Sequence, residues 1–468
     1  MRSTRTRPAP RLRGSARDER WRVVLILGFL AACTDGDGDL GADAGLDPDA
    51  AVTLTATRYP PAAIRSPVTA AVAARLEAIA AAGAGTTSDD VFAKVGDSHT
   101  ASTNLLHCFA DNAGSPYVIE LDGRDALAPT LTRFRAGSIG GTTPFDRISA
   151  AAAIGRGARW ALTGTPSPLA QELAATTPAF AFVAYGSNDM ELGSTHASAL
   201  PGFWDAMNEL LDQLAAAGAV SVVVGLPPRT DSATAARWIS TYDAVTRALA
   251  ERRQLPYVSM WIATRGLPAQ GLGVDGLHHN TFVTGGRTQP CLLTAAGLDF
   301  GNNQRNLHYL DALAAATAAV DGEPPDAEVL PPVAGVGTAA DPFEIDLLPF
   351  THSFDTSAGE RLRDDYPGCG TGQNEGGPEI VYRLTLPAAA AIRVIALDGA
   401  GTDVDVHVLD PSASCVERAD RLVDRTLPAG DVTIVVDTFV MAGLEQAGPY
   451  SLVVLGCEAG DPDCAVGP

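Results

Sequence analysis

Three short segments carry side chains that can perform acyl-transfer chemistry together: Gly96-Asp97-Ser98-His99, Gly186-Ser187-Asn188-Asp189 and Asp275-Gly276-Leu277-His278. A serine hydroxyl is a poor nucleophile until a neighbouring base takes its proton, and an imidazole oriented by a carboxylate is such a base. Asp275 stands three residues before His278. On a tight loop that spacing lets the carboxylate hold one ring nitrogen while the other faces Ser98, in the chain order Ser, Asp, His. Asn188 offers an amide donor to the oxyanion of a tetrahedral intermediate, and the glycine turn Ser138–Thr143 offers a second donor in the Gly141 N–H. The expected catalytic residues are therefore Ser98, Asp275 and His278, with an oxyanion hole built from Ser98, Gly141 and Asn188. His279 adjoins the expected base, but the aspartate spacing favours His278.

Apolar runs place these segments. Val91–Val95 reads as a short buried strand ended by Gly96-Asp97, and Thr100–Ala110 reads as a helix whose N-terminus would hold Ser98. Phe180–Tyr185 is a second strand, broken by Gly186, so Asn188 also lies at a strand's carboxyl end. Further strands are expected at Val118–Leu121, Val220–Leu226 and Pro256–Met260, and helices at Ser66–Ala82, Phe203–Ala217, Ser232–Arg253 and Thr294–Val320. Strands alternating with helices predict a parallel sheet covered on both faces, with ligands at its carboxyl edge. Arg229, in the loop after Val220–Leu226, reads as a solvated loop arginine.

Gly-Asp-Ser near the start, a turn glycine, Gly-x-Asn-Asp and a late Asp-x-x-His resemble the four blocks of the SGNH (GDSL-type) hydrolases, over roughly Val91 to Ala319. The resemblance implies a flavodoxin-like three-layer α/β/α domain, ester hydrolysis through an acyl-enzyme, no cofactor, and a small-molecule or glycan ester as substrate. His99 departs from the pattern, where the family name would put leucine. Acyl groups on polysaccharide or cell-wall glycan are the expected target. The alternatives are a lipase or lysophospholipase-type acyl hydrolase and a catalytically silent surface-binding lipoprotein.

Residues 1–32 pair an arginine-rich start with the apolar run Val23–Phe29, the pattern of a secretory signal peptide. Leu30-Ala31-Ala32-Cys33 resembles a bacterial lipobox, which implies a lipid on Cys33 and a place in the bacterial cell envelope, on the outer membrane or cell surface. Residues 33–60 are an acidic tether. The net charge of −22 excludes nucleic acid as a partner. Six further cysteines in an exported chain suggest disulfides. A Cys108–Cys291 bridge would tie two catalytic segments together, and of the three pairings that Cys369, Cys415, Cys457 and Cys464 allow, Cys369–Cys415 with Cys457–Cys464 is the one expected.

The hydrolase domain is expected over 61–320 and a proline-rich linker over 321–340, so that a chain ending near Glu323 should still fold. An all-β sandwich follows over 341–457 and a tail over 458–468. Its strands read as Ile380–Leu386, Ala391–Leu397, Asp403–Leu409, Val432–Val436 and Tyr450–Leu455. In Thr402–Leu409 the valines fall on one face, and Asp403, Asp405 and His407 fall on an outer face expected to meet solvent. With Gly448-Pro449-Tyr450-Ser451-Leu452, this region resembles bacterial pre-peptidase C-terminal domains. The histidines other than His278 show no metal-ligand spacing, so no metal is expected. Nothing in the chain sets an oligomeric state.

Overall fold

The computed structural model describes residues 56–366, 368–369, 374–461 and 464. The signal peptide, Cys33 and nearly all of the tether lie outside the described residues.

The first part of the chain runs α1 (Ala70–Ala82), β1 (Ser88–Gly96), α2 (Ser98–Ala101), α3 (Ala128–Ala136), α4 (Ala158–Ala161), α5 (Pro168–Thr176), β2 (Pro178–Ala184), α6 (His196–Ala216), β3 (Val220–Val224), α7 (Ala233–Arg252), β4 (Tyr257–Val258) and α8 (Met260–Thr264). A small hairpin, β5 (Val283–Thr284) and β6 (Arg287–Thr288), then leads to α9 (Gly301–Val320). Strands β1 to β4 form one parallel sheet in chain order. Their near-continuous apolar runs, such as Phe180–Val183 and Val220–Val224, are buried because helices cover the sheet. Helix α9 packs with α1 and α3, α6 packs with α4 and α7, and both groups reach the strands.

Two expected elements differ. Val118–Leu121 is not a strand of the sheet: Glu120 forms a single parallel bridge with Leu292, and the Val118 N–H donates to the Gln289 side chain at 2.7 Å. The helix expected over Thr100–Ala110 ends at Ala101 and resumes only as a 3₁₀ turn at His107–Ala110. Asn306 of α9 takes the backbone groups a helix would have used, accepting from the Leu106 N–H at 2.8 Å and donating to the Asn104 carbonyl at 2.9 Å.

The second part is a sandwich. It comprises β7 (Phe343–Ile345), β8 (Phe350–Asp355), β9 (Glu379–Leu386), β10 (Ala390–Asp398), β11 (Val404–Leu409), β12 (Cys415–Ala419), β13 (Leu422–Leu427), β14 (Gly430–Thr438), the hairpin β15 (Val440–Met441) and β16 (Leu444–Glu445), and β17 (Pro449–Gly456). One sheet has the order β13-β10-β17-β8 and the other β12-β11-β14-β9-β7. Val404, Val406, Val408, Ile434 and Leu452 lie in the core shared by the two sheets.

The outer face of β11 does not meet solvent. Asp405 and His407 are buried and Asp403 is half-buried. Tyr366 covers that face, its ring stacked on His407 with centroids 3.7 Å apart, and the Cys369–Cys415 bridge pins the covering segment.

The sandwich also packs directly on the hydrolase part. Ile395, Leu397, Val453 and Leu455, from β10 and β17, join the core that holds the parallel sheet. Arg393 of β10 is buried at this junction, its guanidinium 3.6 Å from the Trp238 ring centre on α7, hydrogen-bonded to Thr241 and ion-paired with Asp424 and Asp461. Glu251, at the end of α7, accepts from Thr351 of β8 at 3.0 Å and from the Tyr59 N–H at 2.8 Å. A face of α7 is thus made for the sandwich, although the proline-rich segment between the two parts reads as a plain spacer.

Candidate active site

Glycine is required where β1 ends. A Cβ on Gly96 would lie 2.1 Å from Thr100 Oγ1 and 2.5 Å from the Ala184 carbonyl, so only hydrogen lets the ends of β1, β2 and α2 converge. Asp97 caps α2 by accepting from the His99 N–H at 2.9 Å. Ser98 then opens the helix, and its Oγ lies 2.8 Å from His278 Nε2. On the far side of that ring, Nδ1 lies 2.7 Å from Asp275 Oδ2, while Asp275 Oδ1 accepts from the Leu277 and His278 N–H groups at 3.1 and 3.0 Å. Burial pushes the Asp275 carboxyl up, but these hydrogen bonds outweigh it and hold the group at about 2. The tight turn depends on Gly276, at φ +66°. The side chains of His278 and Asp275 are 43% and 51% exposed, so a solute reaches the relay directly.

The second motif meets the first at the same sheet edge. Gly186 takes φ +130°, and the buried Asp189 carboxylate accepts from the Gly186 and Ala158 N–H groups at 3.0 and 2.8 Å. Burial pushes Asp189 up to about 6. Asn188 is thereby presented with its Nδ2 3.2 Å from the Arg156 carbonyl and 3.5 Å from Asp97 Oδ2.

Gly141 does not join them. The segment from Gly137 to Ala153 climbs alongside β1: Gly137 abuts Asp90, Lys94 Nζ donates to the Phe145 carbonyl, and Ala151 and Ala153 exchange hydrogen bonds with Gly96. Gly141 sits low on that climb, in an exposed turn whose bonds close between Ile139 and Thr142. The glycine turn that reaches the edge is Gly155, at φ +70°, next to the Arg156 carbonyl that Asn188 contacts. Its signal was legible as Ala150–Ile154 followed by glycine, the same run-then-glycine pattern as the other motifs.

Residues 94–281 match the family model described as the GDSL-like Lipase/Acylhydrolase family. This stretch is a GDSL-like hydrolase domain. It acts on ester bonds. No curated protein matches the chain. Among solved structures, the chain is similar to a two-domain esterase active on acetylated mannans, at 12% identity and a TM-score of 0.29, over 82% of this chain and 95% of that one. It is also similar to the pre-peptidase C-terminal domain of a collagenase from Bacillus anthracis, at 14% identity and a TM-score of 0.16, over 23% of this chain and 89% of that one. A tail fiber protein from an E. coli phage is similar at 9% identity and a TM-score of 0.25, over 81% of this chain and 50% of that one.

Around the relay, the GDSL-like domain is braced by residues outside its motifs. Arg229 is not a solvated loop arginine: it is buried and binds Asp231, Glu191 and the Ser187 carbonyl. The Thr230 N–H beside it donates to the Gly276 carbonyl at 2.7 Å, so this arginine links the Asn188 loop to the Asp275–His278 loop. Cys108 and Cys291 are bridged, as are Cys369 with Cys415 and Cys457 with Cys464.

His99 and His279 are buried beneath the relay, with rings 5.0 and 5.6 Å from their neighbours His278 and His99. Burial drives both well below the ordinary histidine value, and neither ring has a hydrogen-bond partner among the described residues. They line, with Asp97, Arg305 and Tyr309, a cavity of 20 Å³. That is room for about one water. Among the described residues, no helix is long and apolar enough to cross a membrane.

Proposed function

We propose that Ser98 is the nucleophile, His278 its base and Asp275 the carboxylate that orients it, in the hydrolysis of short acyl esters carried on a polysaccharide or cell-wall glycan. The observation that carries this reading is the unbroken hydrogen-bonded relay from Ser98 Oγ through His278 to Asp275. Ser98 Oγ attacks the ester carbonyl as its proton passes to His278 Nε2. The Asn188 amide and the Ser98 and Gly155 N–H groups receive the oxyanion. The imidazolium then protonates the departing sugar oxygen, leaving an acyl group on Ser98. Water, deprotonated by the same imidazole, releases the acid and restores the hydroxyl.

Two features favour a short acyl group on a bulky alcohol. The relay is open to solvent, which admits a polymer, and the described residues form no long apolar groove at Ser98 of the kind an alkyl chain would fill. Turnover of aryl esters of graded chain length and release of acetate from an acetylated polysaccharide test this. Wild-type protein should favour acetyl over long-chain esters and Ser98→Ala should be inert while keeping its circular dichroism. Faster cleavage of long-chain esters would replace this reading with a lipase, and no turnover of any ester would leave a binding protein.

For location, we infer that the chain is exported and held to the bacterial envelope by lipid on Cys33, because the residues before it have the pattern of a lipobox. Cys33→Ser should shift the protein from the membrane fraction to the soluble fraction, and unchanged retention would rule the anchor out.

A further inference from the structure

The covered face of β11 holds more buried acid than its cations neutralise. Glu375, Glu379, Asp405 and Asp437 are all buried there. Facing them are Arg418, which pairs with Glu375 Oε1 and Asp405 Oδ2 at 2.7 and 2.6 Å, and Arg363, whose guanidinium lies 5.5 Å from the Tyr366 ring centre. Counted at full ionisation, four carboxylates against two guanidinium groups leave an excess of two acids, and an unpaired charge in so dry a place is costly unless the group takes up a proton or a cation.

Three atoms in this pocket have the geometry of a shared ligand. His407 is fully buried and neither ring nitrogen has a hydrogen-bond partner among the described residues. Its Nε2 lies 3.8 Å from Glu375 Oε2, too far for a hydrogen bond. Asp437 uses Oδ2 on the Tyr366 hydroxyl, while its Oδ1 has no partner among the described residues. Ligand atoms of Glu375, His407 and Asp437 all lie within 4.8 Å of one another. A cation with bonds of about 2.0–2.2 Å can bridge atoms up to about 4.4 Å apart, as His407 Nε2 and Glu375 Oε2 are at 3.8 Å.

We propose that Glu375, His407 and Asp437 form a structural site for a divalent transition metal of the zinc type inside the sandwich. One imidazole with two carboxylates suits zinc, whereas calcium asks for about six to eight oxygens. The divalent charge matches the excess of acid. The ion joins β11, β14 and the segment carrying Glu375, which come together only in the fold. Tyr366, stacked on His407 and bonded to Asp437, orients two of the three ligands. A second group of suitable residue types, Asp424 with Cys457 and Cys464, offers no thiolate because its cysteines are bridged.

The test uses untagged full-length protein stripped with a chelator, then titrated with Zn²⁺ and, separately, Ca²⁺. One equivalent of zinc per chain should bind and raise the melting temperature, with calcium at the same concentration giving no shift. Co²⁺ should give visible absorption bands from a nitrogen and oxygen ligand set. Tyr366→Phe should weaken zinc about 10- to 100-fold, and His407→Gln should abolish the one-equivalent binding. Wild-type protein that takes up no zinc and gives no cobalt bands would show that the pocket holds water or protons only. Undiminished binding by His407→Gln would place any metal elsewhere. Should His407→Gln not fold, the zinc stoichiometry and cobalt spectrum of the wild type still decide the question.

Discussion

Asn188 Nδ2 rests on two indifferent acceptors, the Arg156 carbonyl at 3.2 Å and Asp97 Oδ2 at 3.5 Å, which an oxyanion would displace at little cost. Asn188→Ala should lower kcat about 10²- to 10³-fold with a small change in KM, because the backbone donors remain. Steady-state kinetics on an aryl acetate checks this, and a purely KM effect would remove Asn188 from the oxyanion site. The pH profile separates the relay from its surroundings. A base must be neutral to accept the serine proton, so turnover should fall on acidification as the imidazolium forms. Asp275, held at about 2, stays ionised through that range and cannot be the source. Asp97 is the other group to consider, pushed up to about 7 by burial. Asp97→Asn should keep both the cap on α2 and the acid limb. Loss of the limb in that variant would assign it to Asp97.

At the scale of elements, the sheet edge decides which loops meet. Three segments arrive there beside one another: the ends of β1 and β2, and the loop that joins Gly96 through Ala151–Ala153. Gly155 closes that loop and Gly141 lies lower and outside it. Both have open space for a Cβ, and both have positive φ, so alanine strains each backbone alike. Gly155→Ala should therefore cut kcat at least about tenfold by moving an oxyanion donor, whereas Gly141→Ala should leave it within a factor of about two. The reverse order would restore Gly141 to the site. The sequence showed β1 and β2 clearly, since apolar runs broken by glycine are local patterns. It did not show that Val118–Leu121 lacks a sheet partner, because four apolar residues look alike whether they pair with a strand or with the loop at Leu292.

Across the whole molecule, the junction between α7 and the sandwich is part of the stability of both. Arg393→Ala would take a buried cation away from Asp424 and Asp461 and uncover Trp238, and should cost about 3–5 kcal/mol in denaturant unfolding. A chain ending at Glu323 would expose the same face of α7, so low solubility is expected, read by gel filtration. A monodisperse, active fragment would show that the junction is dispensable. Glu251 gives the junction a pH dependence. Burial lifts it to about 7 from 4.5, so between those values the folded protein holds a proton that the unfolded chain has released, and stability falls as pH rises through that window. Glu251→Gln lacks this loss. Relative to wild type its urea midpoint should improve between pH 5 and pH 8, and a constant difference would show that Glu251 does not titrate there.

The sequence by itself determined the polar groups that gather at the sheet edge: a serine, an amide and an Asp-x-x-His, each placed by an apolar run or a tight turn that neighbouring residues specify. The tertiary structure alone decided that Gly141 lies in an exposed turn away from the ends of β1 and β2, that Arg229 is a strut, and that Asp405 and His407 face a covered pocket. A β-strand's alternation tells which residues share a face, but what lies against that face is set by contacts made across long stretches of chain. For β11 the covering side chains come from Tyr366 and Glu375, outside its own sheet, and for α7 they come from strands more than a hundred residues later.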